Sequence, residues 1–372
     1  MSGAPGSGGA PAAEYDPTRV RVRRAVLPSG TFETPGVWLG QSVRTSVISA
    51  AVPELQSAPL MVSLGDALAR PRLLERVFNN KLRSHLGVTG PILLDSGGFT
   101  LLSQPEAGWS AVRIGEIYAR ADADVFVALD HPPGLGEPPE ARQAKYLRSL
   151  RNLEVLLDCV PPHRLVPVIH GRTLTEVECN CAAVSRRMPV PFMIGLGGIV
   201  PLLRRSGSAS VSDPASAKAF LIQAVRTVRR HFADTLIHVF GVGSPVTMLA
   251  LFSCGADSVD SIGWRRAAGF GTIFLPGRSE RFVADLRGRR RNSRPMIDED
   301  DRELLSVCAC PACATRPHTD DRVAVLSGHY VPRAVHNAWT LLNEAANLRR
   351  AASTKETWAE FMRVKLAQVW RD

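Results

Sequence analysis

The strongest constraint on the fold is a rhythm: short, nearly unbroken apolar runs alternate with longer stretches whose apolar residues recur every three or four positions. The runs lie at residues 60–64, 92–95, 125–130, 165–170, 192–197, 236–242 and 258–262, and the helical patterns at 70–82, 140–159, 173–188, 215–232 and 245–254. An apolar run of that length reads as a strand covered on both faces. A spacing of three or four reads as a helix with one buried stripe. Strand-then-helix units repeated in this way predict a parallel α/β sheet. Their span of about 240 residues suits an irregular (β/α)8 TIM barrel, with a doubly wound open sheet as the alternative.

Apolar residues make up 45% of the 372 positions, enough for a real core. Residues 1–18, rich in Gly, Ala, Pro and Ser, read as a disordered tail. The barrel is expected over 19–286, and 287–372 as a linker, a small metal-binding subdomain and C-terminal helices at 333–348 and 355–370. Residues 204–214, rich in Ser, Gly and Arg, read as a mobile loop. No signal-peptide core and no run of about 18 apolar residues is present, so a cytoplasmic protein without a membrane partner is expected. The formal net charge is +10, with the densest basic run at 287–294. Such a balance favours contact with phosphates, although a run of this kind is equally a solvated loop.

In a parallel barrel the chemistry sits at the C-terminal ends of the strands. There the runs deliver Asp95-Ser96-Gly97-Gly98-Phe99, Asp130-His131, His170-Gly171, Gly195-Leu196-Gly197-Gly198, Phe240-Gly241-Val242-Gly243 and Asp260-Ser261. A strand-terminal Asp on its own is as readily a helix cap or a turn former. Three carboxylates and one imidazole at successive strand ends, with two Gly-Gly pairs, argue instead for one rim site. One carboxylate can attack an anomeric carbon, and a second can move a proton on or off a base. A third can accept hydrogen bonds from purine N–H groups, with Phe99 stacked on the ring.

Seven cysteines, an odd number, argue against a disulfide framework. Cys308, Cys310 and Cys313 form a Cys-x-Cys-x2-Cys cluster that suits zinc, with a histidine as the fourth ligand. His336 is expected in that place, with His318 and His329 as competitors. A site closed by four protein ligands is structural. Cys159, Cys179, Cys181 and Cys254 lie in helical patterns and read as packing residues.

These strings resemble the tRNA-guanine transglycosylase family. The resemblance is carried by 94–99, 129–130, 195–198, 240–245, 255–261 and the cysteine cluster followed by His336-Asn337, in matching order from about Val22 to Leu348. It implies a (β/α) barrel with a structural Zn2+ subdomain. By position, Asp260 resembles the nucleophile that attacks C1′, and Asp95 the acid/base residue. Asp130 resembles the base-recognition carboxylate, Phe99 the stacking aromatic, and Gly197 and Gly198 the backbone donors. Ser96, His170 and Phe240 complete the expected base pocket. Trp264, Arg265, Arg266, Arg278 and Arg281 are expected to hold the nucleic acid.

The chain departs from the family at several points. His170 stands where queuine-type enzymes place Gln, and Asp66 where Asn is usual. Residues 261–266 differ from the loop that makes RNA contacts in the tRNA enzymes. Residues 197–203 look archaeal, yet 372 residues leave no room for the RNA-binding domains of that branch. The combination resembles paralogues that insert a 7-deazaguanine such as 7-cyano-7-deazaguanine into DNA. DNA is therefore expected as the partner ahead of tRNA, with a homodimer or helper proteins as further partners. The alternatives are tRNA exchange, a non-catalytic nucleic-acid-binding subunit and a hydrolytic glycosidase. Retention of both Asp95 and Asp260 argues against the subunit, since binding alone needs neither.

Overall fold

The computed structural model describes residues 20–45, 47–68, 70–79, 81–102, 109–198, 214–283, 294–354, 357 and 360–361. The expected tail at 1–18, the loop at 204–213, the basic run at 287–293 and most of the helix at 355–370 lie outside the described residues.

A parallel sheet is the centre of the molecule. Its strands are β3 (Gly36–Gln41), β4 (Leu60–Ser63), β5 (Ile92–Asp95), β6 (Val125–Val127), β7 (Leu165–Val166), β8 (Val168–Ile169), β9 (Met193–Leu196), β10 (Leu236–Val239) and β11 (Ser258–Ser261). They are ordered β7-β6-β5-β4-β3-β11-β10-β9-β8. The two ends of that order, β7 and β8, are separated in the chain only by Pro167. Proline has no N–H to give to a ladder, but its carbonyl accepts from Gly195 N at 2.9 Å, while Ala128 N donates to Val166 O at 2.9 Å. The interrupted run thus bonds β6 on one side and β9 on the other, and the sheet closes into a barrel of eight staves.

Successive residues of a strand point to opposite faces, and the two buried clusters follow that alternation. Trp38, Leu93, Val125, Val127, Val166, Val168, Met193 and Leu236 form the inner cluster. Val37, Leu39, Leu60, Val62, Leu94, Phe126, Ile169, Ile194, Ile237, Val239 and Val259 form the outer one, beneath the helices. The inner mouth at the N-terminal end is closed by the antiparallel hairpin β1 (Arg23–Leu27) and β2 (Gly30–Thr34). Its Phe32 stacks on Trp38 with ring centroids 4.3 Å apart.

The outer helices are α1 (Pro71–Phe78), α2 (Leu82–Leu86), α3 (Ala111–Tyr118), α4 (Pro139–Leu157), α5 (Leu174–Arg187), α6 (Pro214–His231), α7 (Pro245–Ser253) and α8 (Gly263–Gly269). The pattern expected as one helix at 70–82 is two, because the Asp122 carboxylate accepts from Leu82 N and Arg83 N and starts a new helix there. After the short pair β12 (Thr272–Ile273) and β13 (Arg281–Phe282) come α9 (Glu299–Ser306), α10 (Thr319–Gly328) and α11 (Tyr330–Ala351). Among the described residues no helix is long and apolar enough to cross a membrane.

A buried ion pair fastens β10 and β11 below the rim. Asp257, nearly inaccessible, pairs with Arg229 of α6 and also accepts from Ile237 N at 2.7 Å. Asp257→Ala leaves a buried amide without its acceptor and a half-buried guanidinium without its counter-charge, although Thr235 O and Gly255 O still accept from it. Denaturant unfolding should show a loss of about 3 kcal/mol.

Candidate active site

The same period of two that fills the barrel builds the site. On the inward face, Leu93 is followed by Asp95, Met61 by Ser63, Leu236 by His238 and then Phe240, and Ser258 by Asp260. The lower layers are mostly apolar, and β5 and β11 bring carboxylates to the C-terminal rim. They open onto a cavity of about 360 Å³ lined by Asp95, Phe99, Asp130, Gly197, Gly198, Phe240, Asp260 and Arg266, among others.

Asp260 is 3% exposed. Its Oδ1 accepts from Gly241 N at 2.7 Å. Among the described residues its Oδ2 makes no hydrogen bond, so that oxygen is the one available to a ligand. Asp95 accepts on Oδ2 from Ser63 Oγ at 2.8 Å and from Gly97 N at 3.0 Å. Burial, and then the charge of Asp130, push its carboxyl up from the usual 3.8 to about 7; Asp260 adds to this, and the two hydrogen bonds oppose it. A carboxyl titrating near neutrality exists in both protonation states at working pH, as an acid/base group must.

Asp130 Oδ2 lies 2.8 Å from His170 Nε2, although the ring N–H is not aligned on it as a hydrogen bond. A Cβ on Gly98 would come within 2.0 Å of Asp130 Oδ1, so a side chain there would displace the carboxylate. Gly198 has φ +72°, a left-handed conformation that favours glycine, and its carbonyl is pinned by Arg172 Nη1 at 2.8 Å. Arg172 Nη2 reaches Pro133 O at 2.8 Å, tying the turn after β9 to the one after β6. Phe99 is 53% exposed at the lip, placed to cover a planar ligand.

Two expected pocket residues do not line the cavity. Ser96 is fully buried, and its hydroxyl turns outward to Ala128 O at 3.4 Å. His170 is buried behind the wall, where it backs Asp130 and packs under Gly197. The expected nucleic-acid contacts also need correction. Trp264 is fully buried and donates its indole N–H to Gly40 O at 3.1 Å, so it is core. Arg278 and Arg281 are engaged by the capping acids of α9: Arg278 lies 3.3 Å from Asp300 and 3.2 Å from Asp301, and Arg281 3.0 Å from Asp301. Arg265 is half-buried and bonded to Gln41 Oε1 at 2.8 Å. Arg266 alone of the five is both exposed and on the cavity wall. Beside it is a residue that sequence reasoning missed, Glu280, with its ion-pair partner Arg294, the last residue of the basic run. Glu280 belongs to no strand-end motif, so no local signal marked it.

The metal site is compact. The sulfurs of Cys308, Cys310 and Cys313 lie 3.5, 3.4 and 3.7 Å from His336 Nδ1, and all four donor atoms fall within 4.8 Å of one another. Ideal zinc bond lengths in a tetrahedron give sulfur–nitrogen edges of about 3.5 Å, so the group fits a structural zinc ion. His336 Nε2 lies 2.8 Å from Phe274 O, which holds its proton there and turns the Nδ1 lone pair to the metal. His318 and His329 flank α10 and stand outside the group. Of the cysteines expected in packing, Cys181 and Cys254 are buried, but Cys179 is exposed on α5 and Cys159 is exposed just beyond the end of α4.

A closed barrel with rim carboxylates around one cavity and a C-terminal Cys3His group defines an α/β-barrel class with a metal-binding module. The queuine tRNA-ribosyltransferase family model matches residues 16–369, and the chain belongs to that family. Among its relatives, the tRNA-guanine(15) transglycosylase of Pyrococcus abyssi is 23% identical over 343 residues, covering 91% of this chain and 53% of the archaeal protein. That of Methanopyrus kandleri is 26% identical over 294 residues, 77% of this chain and 56% of the relative. The queuine tRNA-ribosyltransferase of Thermus thermophilus is 25% identical over 321 residues, 80% of this chain and 77% of the relative. The chain thus spans about half the length of the archaeal relatives it matches.

Two outcomes follow from this geometry. Cys310→Ser, or chelation, removes the bound zinc; hydrogen exchange should quicken first at residues 263–277, which the His336 helix holds, before it quickens in β9 and β10. Asp95 keeps its proton in the folded state to about pH 7 but loses it near pH 4 when unfolded, so folding stability is lost as pH rises between those values. Asp95→Asn should therefore melt roughly 2 °C or more above the parent at pH 8, with a smaller gain at pH 5 by calorimetry.

Proposed function

We propose that the protein exchanges guanine in a nucleic acid for a 7-deazaguanine base through a covalent Asp260–C1′ intermediate. The observation that carries this reading is a single cavity onto which Asp260 presents a free oxygen and Asp95 a carboxyl titrating near neutrality. In the first half, Asp260 Oδ2 bonds to C1′ as the bond from C1′ to the guanine nitrogen breaks, and the Asp95 carboxyl protonates the departing base. In the second half, the entering base gives its proton to Asp95, its nitrogen bonds to C1′, and the Asp260 carboxylate leaves. Two displacements at one carbon retain its configuration, and no nucleotide hydrolysis is needed. Asp130 accepts hydrogen bonds from the purine edge, Phe99 stacks on it, and the Gly197–Gly198 backbone approaches it closely.

The target guanine has to leave its stack to reach a rim cavity, which costs a few kcal/mol in a duplex. Exposed Arg266 offers positive charge on the cavity wall, which the Glu280–Arg294 ion pair also lines. DNA is favoured because the segment after the nucleophile, Ser261–Arg266, departs from the RNA-contact loop of the tRNA enzymes and buries its one aromatic residue. A tRNA substrate is the second reading, favoured by the names of the relatives.

The test offers purified enzyme labelled guanine, or 7-cyano-7-deazaguanine, with DNA and RNA oligonucleotides of one sequence, followed by denaturing capture of covalent adducts. The expected result is incorporation and an adduct with DNA, lost on Asp260→Asn by at least about 1,000-fold. Incorporation into RNA alone would reverse the substrate choice. Abasic sites without incorporation would make the enzyme a hydrolase.

A further inference from the structure

One fully buried titratable side chain at the site has no part in that scheme. His238 points inward from β10, between Leu236 and Phe240, and is directly paired with Ser258 across the β10–β11 ladder. Its Nδ1 lies 2.9 Å from Ser258 Oγ, and the edge of its ring meets Phe240 at 4.4 Å between centroids. Its Nε2 lies 3.4 Å from Asp260 Oδ1 and has no hydrogen-bond partner in the resting geometry. A polar atom buried in this way is costly unless something compensates it. The acceptor it faces is the carboxylate of Asp260.

The ring chemistry decides which nitrogen carries the proton. With the proton on Nδ1, the Nε2 lone pair would face a carboxylate oxygen in a dry site, and both would repel. With the Ser258 hydroxyl donating to Nδ1, the proton sits on Nε2 and faces Oδ1. We infer that His238, oriented by Ser258, is a positioning residue for Asp260, an inference that rests on Asp260 being the nucleophile. Its Nε2–H closes on Oδ1 beside the Gly241 N–H, which leaves Oδ2 as the oxygen that bonds to C1′. When the entering base bonds to C1′ and the Oδ2–C1′ bond breaks, the electron pair returns to the carboxylate. Two fixed donors on Oδ1 then stand ready for that charge, in the manner of preorganised donors at other developing anions.

Side-chain geometry supplies a test that packing alone would not pass. A Gln amide nitrogen reaches the position of His Nε2, whereas an Asn amide reaches only that of Nδ1. Base exchange by full-length variants is measured as kcat and as KM for the nucleic acid, with zinc content and thermal melting as controls for folding. His238→Asn and His238→Phe are expected to lower kcat roughly 10- to 100-fold with KM changed less than about 3-fold, while His238→Gln stays within about 5-fold of the parent. Ser258→Ala, which removes only the orienting hydroxyl, is expected to lower kcat about 3- to 10-fold even if the Phe variant does not fold. Equal loss in the Gln and Asn variants, or full activity in both, overturns the inference. Asp260→Asn in parallel separates the two failures: if it keeps exchange, the nucleophile reading falls as well; if it abolishes exchange while His238→Asn does not, only the role of His238 falls.

Discussion

Closure of the strand ladder at Pro167 decides where the side chains of the site can point. A closed parallel barrel has one inside, so each stave contributes alternate residues to a single column. Val166 and Val168 lie on the inside below the rim, with Pro167 between them turned outward and bonded through its carbonyl to Gly195. An open sheet of the same strands would spread Asp95, Asp130 and Asp260 along an edge. Joining β8 to β9 brings the turns after β5, β6, β9, β10 and β11 around one mouth. Because the period is two, a shift of a single residue in β5 or β11 would bring Leu94 or Val259 to the place of a rim carboxylate. The apolar layers beneath, with the Phe32–Trp38 stack at the far end, make such a slip expensive.

The zinc-binding residues lie outside the cavity-lining set, yet their module is bonded into the segment that follows Asp260. Along α11, Arg333 donates to Ala268 O at 2.8 Å, Asn337 bonds Trp264 O, Thr272 O and Phe274 N, and Glu344 accepts from Gly277 N at 3.0 Å. His336 adds the bond to Phe274 O while its other nitrogen faces the thiols. These polar groups are buried and bond main chain that lies outside the barrel ladder. The helix that carries His336 fixes residues 264–277, and Trp264 fixes that segment to Gly40 at the rim end of β3. A zinc ion on the four donors would thus be linked to the rim through hydrogen bonds alone.

Much of this was legible because apolar runs and strand-end residues are local signals. The strand-end rule led to Asp95, Asp130 and Asp260, and the cysteine spacing led to three of the four zinc donors. The stave Gly36–Gln41 escaped because two glycines and a terminal Gln dilute its apolar pattern, and β12 and β13 are too short to show one. Residues whose meaning depends on a distant partner misled more seriously. Trp264, followed by two arginines, looks like a surface contact, but its ring fills the space behind β3. Arg278 and Arg281 look like phosphate ligands, but Asp300 and Asp301, some 20 residues on, already hold them. His170 reads as a wall of the pocket, and only the packing of Gly197 against its ring shows it to be the layer behind.

The division of labour among the carboxylates follows from what surrounds each of them. Three acids share a small, poorly hydrated space, and all three cannot be equally content as anions there. Asp260 receives a backbone N–H on one oxygen and faces the His238 ring. Asp130 has the imidazole of His170 beside it. Asp95 is pushed up by burial and then by the charges of Asp130 and Asp260, which its two hydrogen bonds do not offset, so it is the one that holds a proton. Under the proposed mechanism, one residue type serves as both nucleophile and acid because position 260 has a backbone donor on one oxygen and position 95 has neighbours of its own sign.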